Sequence, residues 1–321
     1  MKLIDELRTL LEGEIKRITL PSNPENLYLP IKYVLNIGGK RTRPILTLMA
    51  HQLFDSDINK SLKPAIAIEM FHNFTLLHDD IMDEAPLRRG MKTVHEKWDN
   101  NIAILSGDSM LVHSYNLLMK VDDCYLRSIL ESFNRAAAQV CEGQQLDMDF
   151  EQRDDVSISE YLSMIEYKTS VLLATALKIG AINGGANTDE VNHIYEFGRN
   201  LGIAFQLKDD LLDAFGDPGS FGKQVGGDII ANKKTYLYIK AMELADEIQK
   251  KQLNHYYSNN IDLNVKVDSV KNIFLNLNIP THTTNLMMDF HRKALTHLDS
   301  IKSKNKQPLY SFSMLLLDRV S

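Results

Sequence analysis

The sequence predicts an all-α protein, and three observations lead there. Chain breakers are scarce: 321 residues hold only 16 glycines and nine prolines, below the usual combined share of about 12%. Apolar residues recur three and four positions apart along most of the chain, the period of a helix with one buried face. Capping residues stand where these periodic stretches begin. Apolar residues make up 44% and charged residues 24%, which supports a full core and excludes a disordered chain. Length alone leaves one large domain or two smaller ones open.

Taken in order, the pattern predicts helices at roughly 2–18, 24–36 and 42–54. Ile66, Met70, Leu77 and Ile81 mark the apolar side of a helix over about 61–84, with Pro64 tolerated in its first turn. Further helices are expected at roughly 100–121 and 124–149. Ser157-Ile-Ser-Glu160 is a capping box opening a helix that runs to about Gly180. Thr188 is the expected N-cap of the next, with Asp189 and Glu190 in its first turn and a stop at Gly216-Asp217-Pro218-Gly219. The remaining helices are placed at roughly 233–259, 265–275 and 281–303, before an apolar C-terminal piece from Leu309 to Val320. Loops are short except near 84–98 and 216–232, and long loops in a helical protein are usually functional.

Lysine and arginine number 36 against 42 aspartates and glutamates, a net charge of −6. That speaks against nucleic acid as a partner. The most apolar stretch, Val171 to Ile182, is interrupted by Lys178 and is too short to span a bilayer. Cys124 and Cys141 form neither a CxxC pair nor a disulfide framework, so a reducing, cytoplasmic setting is expected.

Two segments carry the chemistry. Asp79-Asp80-Ile81-Met82-Asp83 is DDxxD, and Asp209-Asp210-Leu211-Leu212-Asp213 repeats it 130 positions later. On a helix, Asp79 and Asp83 share a face, as do Asp209 and Asp213. Each motif lies near the C-terminal end of an apolar helix, where like charges repel and the helix dipole disfavours anions. Two such burdens point to bound cations, and oxygen ligands of this kind suit Mg²⁺ completed by substrate phosphates. Cations follow. Gly38-Gly39-Lys40-Arg41-Thr42-Arg43-Pro44 is a glycine turn feeding three cationic side chains into a helix start, a setting suited to a diphosphate. Arg88-Arg89-Gly90 follows the first motif. Lys223 and Lys233-Lys234-Thr235 follow the second, and Lys168-Thr169 interrupts an otherwise apolar helix.

In this combination the chain resembles the trans-isoprenyl diphosphate synthases, the polyprenyl synthetase family. Leu77 to Asp83 through Arg88-Arg89-Gly90 resembles the family's first aspartate-rich motif, and Phe205 to Asp213 its second. The GGKRTRP segment, Gly143-Gln144-Gln145-Leu146-Asp147, Lys168-Thr169, Gly222-Lys223 and Asn232-Lys233 stand in the family's order. The resemblance implies a single all-α domain over 1–321, a helical bundle around a central cavity with the two motifs facing each other across its mouth. It implies a transferase that joins isopentenyl diphosphate to an allylic diphosphate. Asp79, Asp83 and Asp209 would hold several Mg²⁺ ions, with Mn²⁺ as a substitute. Asp80, Asp210 and Asp213 would support them. Arg88, Lys168, Thr169, Gln206, Lys223 and Lys233 would hold the allylic diphosphate; Gly39, Lys40, Arg43, His72 and Arg89 would hold isopentenyl diphosphate. Gln144 and Asp147 would stand behind these. A homodimer is implied as well.

Product length is expected from the residues just before the first motif. Thr75 lies about 40° from Asp79 around a helix and Phe74 about 140° away. Geometry alone would not choose Phe74; the family pattern does. One aromatic five positions before the motif, a small residue four before it and no insertion inside DDxxD resemble geranylgeranyl-type enzymes. A C20 product, or C15 with C20, is therefore expected, with a longer polyprenyl chain as the alternative.

Three rival readings fit the sequence less well. Glu69-x-x-His72 and Glu190-x-x-His193 match the ExxH pairs of di-iron bundles, but leave both DDxxD motifs unexplained. A non-catalytic partner subunit often loses second-motif aspartates, and here they are intact. A terpene cyclase would not need a second diphosphate site at Gly39, Lys40 and Arg43. His51, His78, His113 and Trp98 read as packing.

Overall fold

Caps and apolar periods place most helices where expected in the computed structural model, which describes residues 2–216, 226–258, 261–303 and 305–317. In chain order these are α1 (Lys2–Lys16), α2 (Glu25–Asn36), α3 (Thr42–His51), α4 (Leu62–Met82), α5 (Val94–Lys97), α6 (Asn100–Leu118), α7 (Asp123–Glu151), α8 (Ile158–Ile165), α9 (Val171–Asn183), α10 (Thr188–Phe215), α11 (Gly227–Ile230), α12 (Tyr236–Leu244), α13 (Glu247–Ser258), α14 (Leu263–Asn276), α15 (Ile279–Ser300) and α16 (Gln307–Leu317). Among the described residues the strands are one two-residue antiparallel pair, β1 (Leu87–Arg88) and β2 (Met91–Lys92). The protein is all-α, as the sequence predicts. No described helix is long and apolar enough to cross a membrane.

The differences from expectation have local causes. The stretch expected as one helix over 233–259 is two. Ala245 takes an extended ψ of 144°, and Asp246 then caps α13 by accepting from Ile248 N and Gln249 N at 2.9 and 2.8 Å. Gln249 Oε1 in turn accepts from Asp246 N, so Asp246-x-x-Gln249 is a capping box lying inside an apolar period that masked it. Helix α10 is capped one residue earlier than expected. Asn187 Oδ1 accepts from Glu190 N at 3.0 Å, so Asn187 and not Thr188 is the cap. The Ser157 capping box stands as read. The helix it opens widens into a π-turn at Glu166–Ser170 before continuing as α9.

The chain divides into two compact units. The first comprises Met1–Asn134, Thr175–Ile194 and Ser303–Pro308. Its axis is α4, buried almost all round from Leu62 to Phe71, packed along α6 and against α3; a helix apolar on every side belongs in a core. The second comprises Arg135–Ala174, Tyr195–Lys302 and Leu309–Ser321. Its core joins Tyr161, Met164 and Ile165 of α8 to Ile203 and Leu207 of α10 and to Leu237 and Tyr238 of α12. Burial of such side chains stabilises each unit by roughly 2 kcal/mol per large residue.

Candidate active site

In the first unit the site begins at the end of α4. Asp83 caps that helix with near-helical torsions, and its N–H donates to Asp79 O at 2.8 Å. The outer two aspartates thus keep the i,i+4 spacing past the last helical residue. Asp80 turns inward and is only 4% exposed. Arg88 donates from Nε to Asp80 Oδ1 at 2.7 Å, with Nη2 at 2.5 Å. Burial raises the Asp80 pKa, an effect Arg88 opposes and Asp83 adds to.

Arg88 and Arg89 sit on the β1–β2 hairpin. Arg89 Nη1 donates to Gly38 O, which docks the hairpin on the glycine turn. Gly39 has φ +152°, and a Cβ there would lie 2.6 Å from Arg89 Nη1; a side chain would expel the guanidinium. Arg43 Nη1 donates to His72 Nε2 at 3.0 Å, while Arg43 Nε is enclosed with no hydrogen-bond partner. Burial, then Arg89, brings the Arg43 pKa down to about 10. Burial and the neighbouring guanidiniums of Arg43, Arg89, Arg88 and Arg41 hold His72 well below its usual value. Cations that depress one another in this way are poised to receive an anion.

The sequence reading of the glycine turn needs one correction. It expects all three cationic side chains to gather at the start of the helix, and Arg41 is instead buried in contacts of the fold. Its side chain is wholly buried, donating to Glu12 Oε1, Glu69 Oε1 and Leu35 O at 2.7, 2.6 and 2.7 Å. Arg41 has φ +48°, in the left-handed region, at the N-cap of α3. The same contact bears on the di-iron reading, because Glu69 Oε1 is already taken by Arg41 Nη1. Phe74 is half-buried, its ring 5.5 Å from Phe71 and 4.7 Å from His78. Thr75 Oγ1 donates to His72 O.

In the second unit a cavity of about 100 Å³ gathers Asp147, Lys168, Thr169, Gln206, Asp210 and Lys233. Lys168 Nζ and Lys233 Nζ lie 2.5 and 3.6 Å from Asp147 Oδ2. Burial would raise the Asp147 pKa, but the two lysines outweigh it and hold the carboxyl below its usual value. Thr169 Oγ1 donates to Gln206 Oε1 at 3.3 Å, and Gln206 Nε2 donates to Asp210 Oδ1 at 3.1 Å. Asp210 is 4% exposed, as is Asp80, so the middle aspartate is the buried one in both motifs. Gln144 Oε1 is buried without a hydrogen-bond partner. Lys223 lies outside the described residues.

Two residues at this cavity were missed by the sequence reading. The Tyr161 hydroxyl donates to Asp210 Oδ2. Asp228 also lines the cavity, and its N–H donates to Asp213 Oδ2 at 2.9 Å. Burial, then Asp228, pushes the Asp210 pKa well up. Tyr161 looks like one more apolar position of α8, and nothing in its spacing marks it. Asp228 had a readable signal, an acid directly after Gly226-Gly227 that opens a short helix.

The aspartates of the two motifs offer carboxylate oxygens, a donor chemistry that fits Mg²⁺ and not a soft ion.

With this geometry in view, the chain can be set beside known proteins. Residues 24–274 match the model of the polyprenyl synthetase family. The geranylgeranyl diphosphate synthase of Methanosarcina mazei is 41% identical over 248 residues, covering 76% of each chain. The geranylfarnesyl diphosphate synthase of Natronomonas pharaonis is 37% identical over 264 residues, covering 77% of each. A crystal structure of a geranylgeranyl pyrophosphate synthase superposes with a TM-score of 0.95 at 45% identity, covering 99% of both chains. The resemblance drawn from the aspartate motifs is borne out, and the chain belongs to the polyprenyl synthetase family.

Proposed function

We propose that this trans-prenyltransferase condenses isopentenyl diphosphate head-to-tail with an allylic diphosphate to give a short-chain all-trans product, C20 or C15 with C20. One observation carries the reading: each unit sets a DDxxD motif, its middle aspartate buried and hydrogen-bonded, beside its own group of cationic side chains. Two anionic substrates need two such groups. Arg88, Lys168, Thr169, Gln206, Lys223 and Lys233 hold the allylic diphosphate. Gly39, Lys40, Arg43, His72 and Arg89 hold isopentenyl diphosphate.

Asp79, Asp83 and Asp209 would hold Mg²⁺, or Mn²⁺ in its place. A bound ion of this kind neutralises charge on a leaving diphosphate. The chain's own side chains do the rest. Lys168 and Lys233 stabilise negative charge as the allylic carbon–oxygen bond ionises. The isopentenyl site aligns the C3–C4 double bond, whose electrons form the new bond to the allylic cation. A proton then leaves the isopentenyl unit for the departing diphosphate. The allylic cation requires apolar walls that keep water away.

Phe74 is proposed as the floor that stops growth, backed by Phe71 and His78. A homodimer is part of the same reading. Leu105 and Val112 of α6 and Met119 at its C-cap, seven apart, are each 59% exposed, an apolar stripe that a second copy would cover. A reducing cytoplasm remains the expected setting.

The test is incubation with Mg²⁺, labelled isopentenyl diphosphate and each allylic starter, followed by chromatography of the dephosphorylated alcohols. A C20 alcohol, alone or with a C15 one, is expected. No elongation from any starter would refute the enzyme assignment, and a C25 alcohol would favour the longer-chain reading.

A further inference from the structure

The helix from Ile158 to Asn183 opens into a π-turn at Glu166–Ser170, and this turn carries Lys168 and Thr169. A π-turn gives up regular hydrogen bonding and persists where its surroundings hold it, often at functional sites. Two glycines hold this one. A Cβ on Gly143 of α7 would lie 2.2 Å from Lys168 N and 2.7 Å from Lys168 Cα and the Tyr167 carbonyl carbon. All three are backbone atoms and cannot rotate aside. A Cβ on Gly202 of α10 would lie 2.6 Å from Ser170 Oγ and 2.7 Å from Ser170 Cα.

Each glycine stands one helical turn before a residue that grips the same π-turn. Asp147 follows Gly143 by four and receives Lys168 Nζ at 2.5 Å. Gln206 follows Gly202 by four and receives Thr169 Oγ1 at 3.3 Å. Positions four apart share a helix face, so the close backbone approach and the side-chain contact are set by one surface on each helix. Against Gly202 the fold even tolerates the buried Ser170 Oγ without a hydrogen-bond partner, an arrangement that costs stability.

We infer that Gly143 and Gly202 are positioning residues for the leaving group: they pinch the π-turn from two helices, Gly143 fixing where Lys168 presents its side chain and Gly202 where Thr169 does. The inference rests on the assignment of Lys168 and Thr169 to the allylic diphosphate. A methyl on either glycine displaces the turn by about 1 Å, enough to misplace a charged ligand contact.

The test is a double-mutant cycle on the full chain, with Mg²⁺ and inorganic pyrophosphate as probe, read by calorimetry beside KM and kcat for geranyl diphosphate. Gly143→Ala is expected to weaken pyrophosphate binding about ten-fold and to raise KM more than it lowers kcat. In a Lys168→Ala background the same glycine change is expected to alter affinity by less than about two-fold, because it acts through the lysine. Losses that multiply in the double variant would overturn the inference while leaving the diphosphate assignment standing. An unchanged affinity in Lys168→Ala alone would remove that assignment, and the inference with it. Should Gly143→Ala not fold by circular dichroism, Gly202→Ala with Thr169→Val runs the same cycle with the same criterion.

Discussion

Asp147 Oδ2 stands between two ammonium groups, 2.5 Å from Lys168 Nζ and 3.6 Å from Lys233 Nζ. The lysines hold its pKa below the usual carboxylate value. A carboxyl depressed on folding contributes stability above its unfolded pKa of about 3.9 and loses it as pH falls through the folded value. Asp147→Asn should therefore lower stability near neutral pH by on the order of 2 kcal/mol and flatten the acid limb of the stability curve. Thermal melts between pH 3 and 7 check this. Parallel curves for the two proteins would show that Asp147 gains nothing from the lysines.

Arg41 illustrates how far the sequence carries. Its neighbours Lys40 and Arg43 were read together with it as one cationic turn, and spacing alone cannot tell them apart. What separates Arg41 is its partners, Glu12 and Glu69, which come from α1 and α4. Such a contact is written in tertiary structure only. Arg41→Met leaves two carboxylates without their cation, so a loss of about 3–5 kcal/mol is expected. Lysine should not restore it, because three acceptors need the guanidinium fork. Urea unfolding measures both variants, and a loss below about 1 kcal/mol would contradict the buried pairing.

The aspartate motifs were legible because chemistry and local geometry agree there: the residue types, their i,i+4 spacing and the apolar helix before them all lie within a few residues. Helix α10 was placed at 188–215 from its acidic first turn and its glycine–proline stop, and it runs over those residues. Tyr161 was not legible. Its partner Asp210 is 49 residues away, and an apolar helix position with a hydroxyl looks like packing until the partner is known. The π-turn was equally hidden, since the glycines that pack against it lie on α7 and α10.

Phe74 gives the product-length reading a direct check. Its ring lies tilted against Phe71 and edge-on to His78, so removing it opens volume without disturbing Asp79, five residues further along α4. Phe74→Ala should shift the main alcohol by at least one C5 unit, with kcat for the first condensation within about three-fold of the parent, since the reacting groups do not move. Chromatography of products at equal conversion reads the shift. An unchanged distribution would remove Phe74 as the floor.

His72 accepts a hydrogen bond from Arg43 at 3.0 Å through Nε2, which requires the neutral ring. Burial and the guanidiniums of Arg43, Arg89 and Arg88 hold it neutral, well below its usual pKa. An unfolded histidine takes up a proton near pH 6.5 and the folded one does not. Stability therefore falls as pH drops below about 6.5, by up to about 1.4 kcal/mol per pH unit, until the folded pKa is reached. His51 and His113 are depressed by burial as well, so the wild-type slope contains their share. The difference between wild type and His72→Asn isolates the part due to His72. That difference should shrink when inorganic pyrophosphate is present, because an anion among the arginines relieves the repulsion that keeps the ring neutral. Melts at pH 5, 6 and 7, with and without pyrophosphate, decide the matter. A His72→Asn protein with the wild-type slope, or a slope untouched by pyrophosphate, would separate His72 from the anion site.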